Sequence, residues 1–212
     1  MSLRRNMVVA RRGAGELVIH NGIALSETEM AQLEALGTPT YLLVPSGFHR
    51  LDAPAYKARY PELKVLAPKG SRKKVAEKVA IDGTYEDFPN GGGIELLSLH
   101  GVHNAEGAML VHSNDGTTLV LNDVVMNMDR RRDLFGYLLT TLLGSAPGPR
   151  VSRLARWLMV KDGPALRAQL EELAKKDDLV RLIVAHDKVA RGPDAREALL
   201  KACGYLHAGA GA

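Results

Sequence analysis

Side chains that can bind a metal ion are concentrated in four segments of the chain, each of which follows a short apolar run that predicts a β-strand. These residues are, in chain order, His49, Asp52, His103, Glu106, Asp123 and His186. Imidazole nitrogens and carboxylate oxygens are typical ligands of zinc and of other divalent transition metals. The residue types therefore allow chemistry in which a bound ion activates a water molecule.

Each segment also has a purely structural explanation. His49 and Asp52 can serve as a turn residue and a helix N-cap. Asp123, directly after an apolar strand, can be an N-cap or the ion-pair partner of an arginine in the run 130–132, since a buried carboxylate needs such a partner. His186 can be a hydrogen-bonded core histidine. His100 and His103 can be an incidental pair in a polar loop. Single residues therefore leave both explanations open.

Apolar runs that predict strands alternate with patterns that predict helices. Strands are expected at residues 17–20, 41–44, 64–67, 94–99, 108–112, 118–121 and 181–185. Helices are expected at residues 26–36, 54–60, 72–79, 132–143 and 150–160, after Pro164, and around 195–202. The turn at residues 114–116, Asn-Asp-Gly, predicts a hairpin. A simple doubly wound fold does not explain the adjacent strands between residues 94 and 121, so the sequence favours a mixed α/β (α+β) architecture.

The order of these segments resembles the metallo-β-lactamase-fold superfamily, and a divergent branch of it in particular. The resemblance covers roughly residues 17–202. It is carried by segments 33–37, 41–45, 48–49, 60–65, 101–106 and 118–123, by Asn127 and by 185–186. The Pro-Asn-x-x-His-His segment typical of that branch reads Pro-Ser-Gly-Phe-His-Arg at 45–50. The resemblance implies an αββα sandwich with mixed sheets and a metal site between them.

The resemblance also implies a set of site residues. The expected metal ligands are His49, His103, Asp123 and His186. The superfamily's His-x-His-x-Asp-His cluster is absent, and Asp187 stands where a glycine usually follows the last histidine. These departures favour one divalent ion (zinc, or iron or manganese) over a two-metal centre, and they also allow an empty site. Asp52 or Glu106 is expected to orient the attacking water as general base.

These implications lead to two functional hypotheses, since a fold does not by itself determine a function. The first is a metal-dependent, hydrolase-like protein that acts on an ester, amide or phosphoester. The second is a non-catalytic protein of the same fold whose degenerate cleft binds a ligand or another protein. Nucleic-acid binding ranks third, because the net charge of +4 comes from four arginines in the first twelve residues and the remaining charges balance.

Composition sets the remaining expectations. The chain has 212 residues, 46% of them hydrophobic and 25% charged, which is typical of a globular protein, and we expect a single domain over residues 1–212. Residues 1–12 are expected to be a flexible basic arm and residues 208–212 a flexible tail. One cysteine, Cys203, and the lack of a signal peptide or membrane-spanning run predict a cytoplasmic protein.

Overall fold

The computed structural model describes residues 4–130 and 133–206, and their strands form two five-stranded sheets. The first sheet, in the order β1-β2-β3-β4-β5, consists of Val8–Arg12, Glu16–His20, Thr38–Leu43, Lys64–Ala67 and Gly83–Thr84. The second, in the order β10-β9-β8-β7-β6, consists of β6 to β10 at Ile94–Ser98, Gly107–Ser113, Gly116–Val120, Leu179–Ile183 and Ala190–Arg191. β1 is antiparallel to β2, and β2 to β5 are parallel. Among the pairings of the second sheet, β8 with β9 is parallel and the others are antiparallel, so both sheets are mixed.

Helices connect and cover these strands. Within the described ranges they are α1 to α7 at Glu27–Ala35, Ala53–Arg59, Arg72–Ala76, Leu134–Leu142, Arg153–Leu158, Gly163–Ala174 and Pro193–Cys203. The predicted capping box of α1 is confirmed, because Ser26 and Glu29 each accept a hydrogen bond from the other's backbone N–H. After α1 the chain turns at Gly37 with φ of +153°, where a side chain would collide with the carbonyl of Gly15.

Three apolar clusters show that these elements form four layers. Leu17 and Ile19 of β2 pack against α1 to α3, whereas Val18 between them belongs to the cluster between the sheets. In β7 the alternation is the same, since Met109 lies between the sheets and Leu110 packs with α5 to α7. Successive strand side chains point to opposite faces, so both sheets are covered by helices on one face and by each other on the other. The predicted αββα sandwich with mixed sheets is confirmed.

The N-terminal basic segment corrects one expectation. Residues 1–12 were predicted to be a flexible arm, but Val8–Arg12 is the edge strand β1 of the first sheet. The preceding chain runs beside the second sheet, where Arg5 forms an isolated antiparallel bridge with His186 and the Asn6 backbone N–H donates to the loop after β9. This pairing joins segments about 180 residues apart, and local charge carries no information about it.

One close approach lies at the start of β7. The buried ring of Tyr85 fills the space beside Gly107, and a Cβ at that position would overlap the ring and lie close to the carbonyl of Leu97. Position 107 therefore has to be glycine for the strand and the ring to pack as they do.

Two further observations concern the limits of the sequence analysis. β5 and β10 have two residues each and were not predicted, because so short a pairing has no hydropathy pattern. The predicted tail at 208–212 lies outside the described residues. In the part of the chain that is described, no helix combines the length and apolar character needed to cross a membrane.

Candidate metal centre

Three of the predicted ligands meet at one point between the two sheets. One nitrogen each from His49 and His186 and one carboxylate oxygen of Asp123 all lie within 4.8 Å of one another. His49 Nε2 is 3.0 Å from Asp123 Oδ2, and His186 Nε2 is 3.3 Å from Asp123 Oδ1. The two imidazole rings are 5.3 Å apart between centroids. Residues 49, 123 and 186 are distant in the chain, so the fold itself assembles this group.

The strand register explains why Asp123 and His186 are neighbours. β8 and β9 are parallel, and their last paired residues are Val120 and Ile183. Asp123 and His186 each lie three residues beyond that pair, so both emerge at the same edge of the second sheet. His49 reaches this edge from the other layer, in the segment between β3 and α2. Ligand sites in α/β proteins commonly form at such carboxyl ends of strands.

Hydrogen bonds at the far side of each imidazole ring fix its orientation. His49 Nδ1 is 2.9 Å from the side-chain oxygen of Asn21, whose amide nitrogen donates to the Asn6 carbonyl at 2.8 Å. His186 Nδ1 is 3.0 Å from the Arg4 carbonyl. Both partner oxygens are acceptors, so each Nδ1 carries a hydrogen. On the other side of each ring, Nε2 faces Asp123. Histidines that bind metals are usually held in this way.

Glu106 positions the loop that carries Asp123. Its side chain is fully buried and accepts hydrogen bonds from the backbone N–H groups of Asn122 (2.9 Å), Asp123 (3.0 Å) and Val124 (3.2 Å). Burial, and then the negative charge of Asp123, raises the pKa of Glu106 well above its usual range against the effect of these donors. Both carboxylate oxygens are occupied by the main chain, so Glu106 acts on the site through Asp123 and does not face a substrate.

The charges of Asp123 and His186 shift each other's pKa. Burial raises the pKa of Asp123, but hydrogen bonds and charge from His186 and His49 outweigh it and hold that pKa well below its usual range. Burial lowers the pKa of His186, but its hydrogen bond to Asp123 and the carboxylate charge outweigh it, so the net shift is upward. Contact with Asp123 therefore favours the protonated form of His186. Metal binding would displace that proton.

A second buried histidine lies next to this group. Burial, followed by the charge of His49, lowers the pKa of His20 to about 3. Its Nε2 has no hydrogen-bond partner within the described part of the chain. His20 is the last residue of β2 and stays neutral under ordinary conditions.

The three clustered side chains line a cavity of about 320 Å³. The rest of its wall is mainly apolar and comes from the loop before α2, the loop after β8, and helices α4 and α5. Asp123 is the one carboxylate among the described residues that line it. A water or substrate in this cavity would therefore lie against the two histidines and Asp123.

Three predicted site residues lie elsewhere. His103 is exposed, has a left-handed φ of 50°, and is outside the cluster. Asp52 stands before α2 and pairs with Arg5 at 2.7 Å; it does not line the cavity. Glu106 has the positioning role described above instead of the predicted role of general base. The structure thus brings together three of the four expected ligands and neither expected base.

The sequence analysis missed the residues that orient the histidines. Asn21 directly follows the apolar strand β2 and has φ of +57°, a conformation that asparagine tolerates better than most residues. A polar residue after a strand was therefore an available signal. The Arg4 carbonyl gave none, because a main-chain acceptor has no side-chain signature.

The donor set fits a single divalent ion. Zinc–ligand bonds of about 2.0–2.2 Å in tetrahedral geometry place neighbouring ligand atoms about 3.3–3.6 Å apart. His49 Nε2 and His186 Nε2 lie 3.1 and 3.3 Å from the same oxygen, Asp123 Oδ1, so these two separations need to open by only a few tenths of an ångström. Two imidazoles and one carboxylate leave a coordination position open, as in catalytic zinc sites. The same set also binds iron(II) in other proteins, so the donors alone do not select the metal.

Comparisons with known proteins agree with this architecture. No protein-family model matches the chain, and no curated protein matches it in sequence. Among solved structures, the chain is similar to a metallo-β-lactamase from Pontibacter korlensis, with a TM-score of 0.63, 14% identity, and coverage of 96% of this chain and 87% of that one. It is also similar to the DIM-1 metallo-β-lactamase exposed to ceftazidime (TM-score 0.60, 13%, 96% and 86%) and to a metallo-β-lactamase from Hirschia baltica (TM-score 0.59, 13%, 96% and 86%). The four layers, the mixed sheets and these neighbours together show that the chain has the metallo-β-lactamase fold.

Proposed function

We propose that this protein is a hydrolase-like protein that binds one divalent metal ion through His49, Asp123 and His186. The observation that carries the proposal is the convergence of these three side chains, with both Nε2 atoms directed at one carboxylate, on the wall of a cavity. The metallo-β-lactamase fold of the structural neighbours supports it. Zinc is the first candidate, with iron and manganese as alternatives.

A bound divalent ion would supply an activated water and polarise a carbonyl or phosphoryl oxygen at neutral pH. The chain's own residues prepare the site for this. Asn21 and the Arg4 carbonyl keep both imidazoles in the tautomer that presents Nε2, and Glu106 holds the backbone of the Asp123 loop. An oxygen of Asp123 can accept a hydrogen bond from a water in the cavity and orient it towards a substrate.

A non-catalytic, ligand-binding protein is the second candidate, and one observation favours it. Neither Asp52 nor Glu106 lines the cavity, so Asp123 would have to serve both as a ligand and as the group that orients water. If the protein binds about one metal ion per chain but cleaves no ester, amide or phosphoester, it belongs to this second class.

Metal analysis tests the site directly. Protein stripped with a chelator and reloaded with zinc, manganese or iron(II) is expected to hold about one ion per chain by elemental analysis. Asp123→Ala and His186→Ala should remove this binding, because each eliminates one of three ligands. Circular dichroism would show that the variants remain folded.

His103→Ala is the matched control, because His103 is exposed and lies outside the cluster. It is expected to keep the ion of the parent protein. Loss of the metal in His103→Ala, or full retention in both ligand variants, would contradict the proposed centre.

A further inference from the structure

We infer that the site takes an uncharged carboxylic ester with a long aliphatic acyl chain, and that this chain lies in the cavity beside the metal centre. The inference rests on the proposed function, because it names the substrate class of the same site. It is argued from the lining of the cavity, from the charges that the lining lacks, and from the composition of the cavity mouth.

The lining is suited to a flexible apolar group. Apart from the three clustered side chains, most of the wall consists of aliphatic and thioether side chains. Its main members are Met126, Met128, Leu143, Leu154, Leu158 and Met159. Methionine side chains adapt their shape to the group that they contact. The volume of about 320 Å³ lies at the lower end of the range of roughly 300–1,000 Å³ in which proteins hold small ligands.

The polar groups of the wall are few and partly engaged. Thr140 donates to the Gly136 carbonyl at 2.7 Å, and Ser152 accepts from the Ala155 N–H at 2.9 Å as the N-cap of α5. No lysine or arginine lines the cavity among the residues that the structure describes. A phosphate or carboxylate in the part of the substrate that lies along the apolar wall, away from the metal centre, would be desolvated without a lysine or arginine to pair with. An uncharged ester avoids that cost.

The mouth of the cavity is apolar as well. Phe48, Leu154 and Leu158 line the cavity and are also 61%, 36% and 44% exposed. Leu158 is preceded on α5 by Trp157, which is 77% exposed. Exposed aromatic and aliphatic side chains at the entrance of a pocket usually mark a binding surface. Apolar side chains therefore form both the wall of the cavity and part of its solvent-exposed edge.

The reaction needs no further reactant. The water oxygen forms a bond to the ester carbonyl carbon, the bond from that carbon to the alcohol oxygen breaks, and the alcohol leaves with a proton from water. The products are the carboxylic acid and the alcohol. The long acyl chain stays against the apolar wall throughout.

Binding without turnover tests the ligand class. The probes are 2-undecanone and 2-pentanone, which are uncharged, cannot be hydrolysed and differ by six methylenes. Isothermal titration calorimetry measures the dissociation constant of each ketone. For the metal-loaded protein, we expect 2-undecanone to bind at least about tenfold more tightly, since each buried methylene adds affinity. Equal affinities would overturn the inference.

Two matched variants locate the binding. Leu158→Glu places a carboxylate in the cavity wall and is expected to weaken 2-undecanone binding at least about tenfold. Leu200→Glu is the control, because Leu200 is similarly exposed (46%, against 44% for Leu158) but lies on α7 and does not line the cavity. It should bind as the parent does. Equal losses in both variants would show that the wall around Leu158 is not the binding surface.

Turnover separates this inference from the proposed function. With 4-nitrophenyl acetate, octanoate and dodecanoate, kcat/KM is expected to rise with chain length, and bis(4-nitrophenyl) phosphate should be a poor substrate. If the acetate is cleaved as fast as the octanoate, or the phosphodiester is the preferred substrate, the proposed hydrolase function remains supported. The inference that the substrate has a long acyl chain is then wrong. Tight 2-undecanone binding without cleavage of any ester would support the apolar ligand and contradict the hydrolase.

Discussion

At the scale of single residues, the centre depends on atoms that face away from the metal position. The Nδ1 atoms of His49 and His186 are engaged by oxygen acceptors, and the buried carboxylate of Glu106 is satisfied by three backbone N–H groups. These contacts leave two imidazole nitrogens and one carboxylate directed at a common point. Asp123 closely follows an apolar strand, where burial of its carboxylate is costly unless a partner is present. In the structure the two histidines are those partners.

The neutral His20 makes a prediction about pH. Its folded pKa of about 3 lies below its usual value of 6.5, so the unfolded chain binds a proton that the folded chain does not as pH falls through this window. The stability that His20 contributes is fully present above pH 6.5 and declines below it, by about 2 kcal/mol at pH 5. Urea unfolding at several pH values measures this slope.

The variant His20→Gln isolates the effect of His20. We expect the difference in unfolding free energy between it and the parent to change by about 2 kcal/mol between pH 7 and pH 5. A parallel pH dependence in the parent and His20→Gln would show that His20 titrates normally in the folded protein.

At the scale of elements, two pairings build the site. The parallel register of β8 and β9 sets Asp123 beside His186, and the segment before β1 runs past the loop after β9. That segment supplies both the carbonyl of Arg4, which accepts from His186, and the carbonyl of Asn6, which accepts from Asn21. The N-terminal residues thus hold both histidines, one directly and the other through Asn21.

Deletion of residues 1–6 tests this role. It leaves β1 intact but removes the acceptors of His186 and Asn21, so we expect metal affinity to fall by about 10- to 100-fold, as is usual when such supporting contacts are lost. The double substitution Arg4→Ala, Arg5→Ala keeps the main-chain carbonyls and is expected to retain the parental affinity within about twofold. Titration with zinc against a competing chelator measures both. Equal affinities of the deletion and the parent would refute the positioning role.

At the scale of the whole molecule, the centre joins the two halves of the sandwich. His49 comes from the first sheet, and Asp123 and His186 come from the second. A ligand that binds the folded chain alone stabilises it by an amount set by its concentration relative to Kd. Metal binding at the proposed centre would therefore be linked to the stability of both sheets together.

Thermal unfolding with and without metal measures this linkage. At a free zinc concentration of one hundred times Kd, we expect a gain of about 2.7 kcal/mol in the free energy of unfolding of the parent protein. Asp123→Ala should show no gain, whereas Asp129→Asn, at an exposed position on the same loop, should behave as the parent. A gain of the same size in Asp123→Ala would show that the ion binds elsewhere.

The resemblance to the metallo-β-lactamase superfamily predicted the layers, and the apolar runs predicted the ends of strands better than they predicted the direction of loops. Asp123 and His186 could be anticipated because each closely follows an apolar strand. His103 could not be separated from them, since its exposed position results from a left-handed turn in a loop. Two further features depend on contacts between distant segments, which local patterns do not encode. They are the three backbone hydrogen bonds that Glu106 accepts and the backbone bridge between Arg5 and His186.

The missing side chain at Gly107 has a consequence for how this chain can evolve. A single methyl group there would have to displace the ring of Tyr85 or shift the start of β7. Glu106 is the adjacent residue, and its carboxylate accepts a hydrogen bond from the backbone N–H of Asp123. A substitution that adds one carbon atom between the sheets would thus move a ligand that it does not touch. Selection for the metal centre would then appear as an invariant glycine with no chemical function of its own.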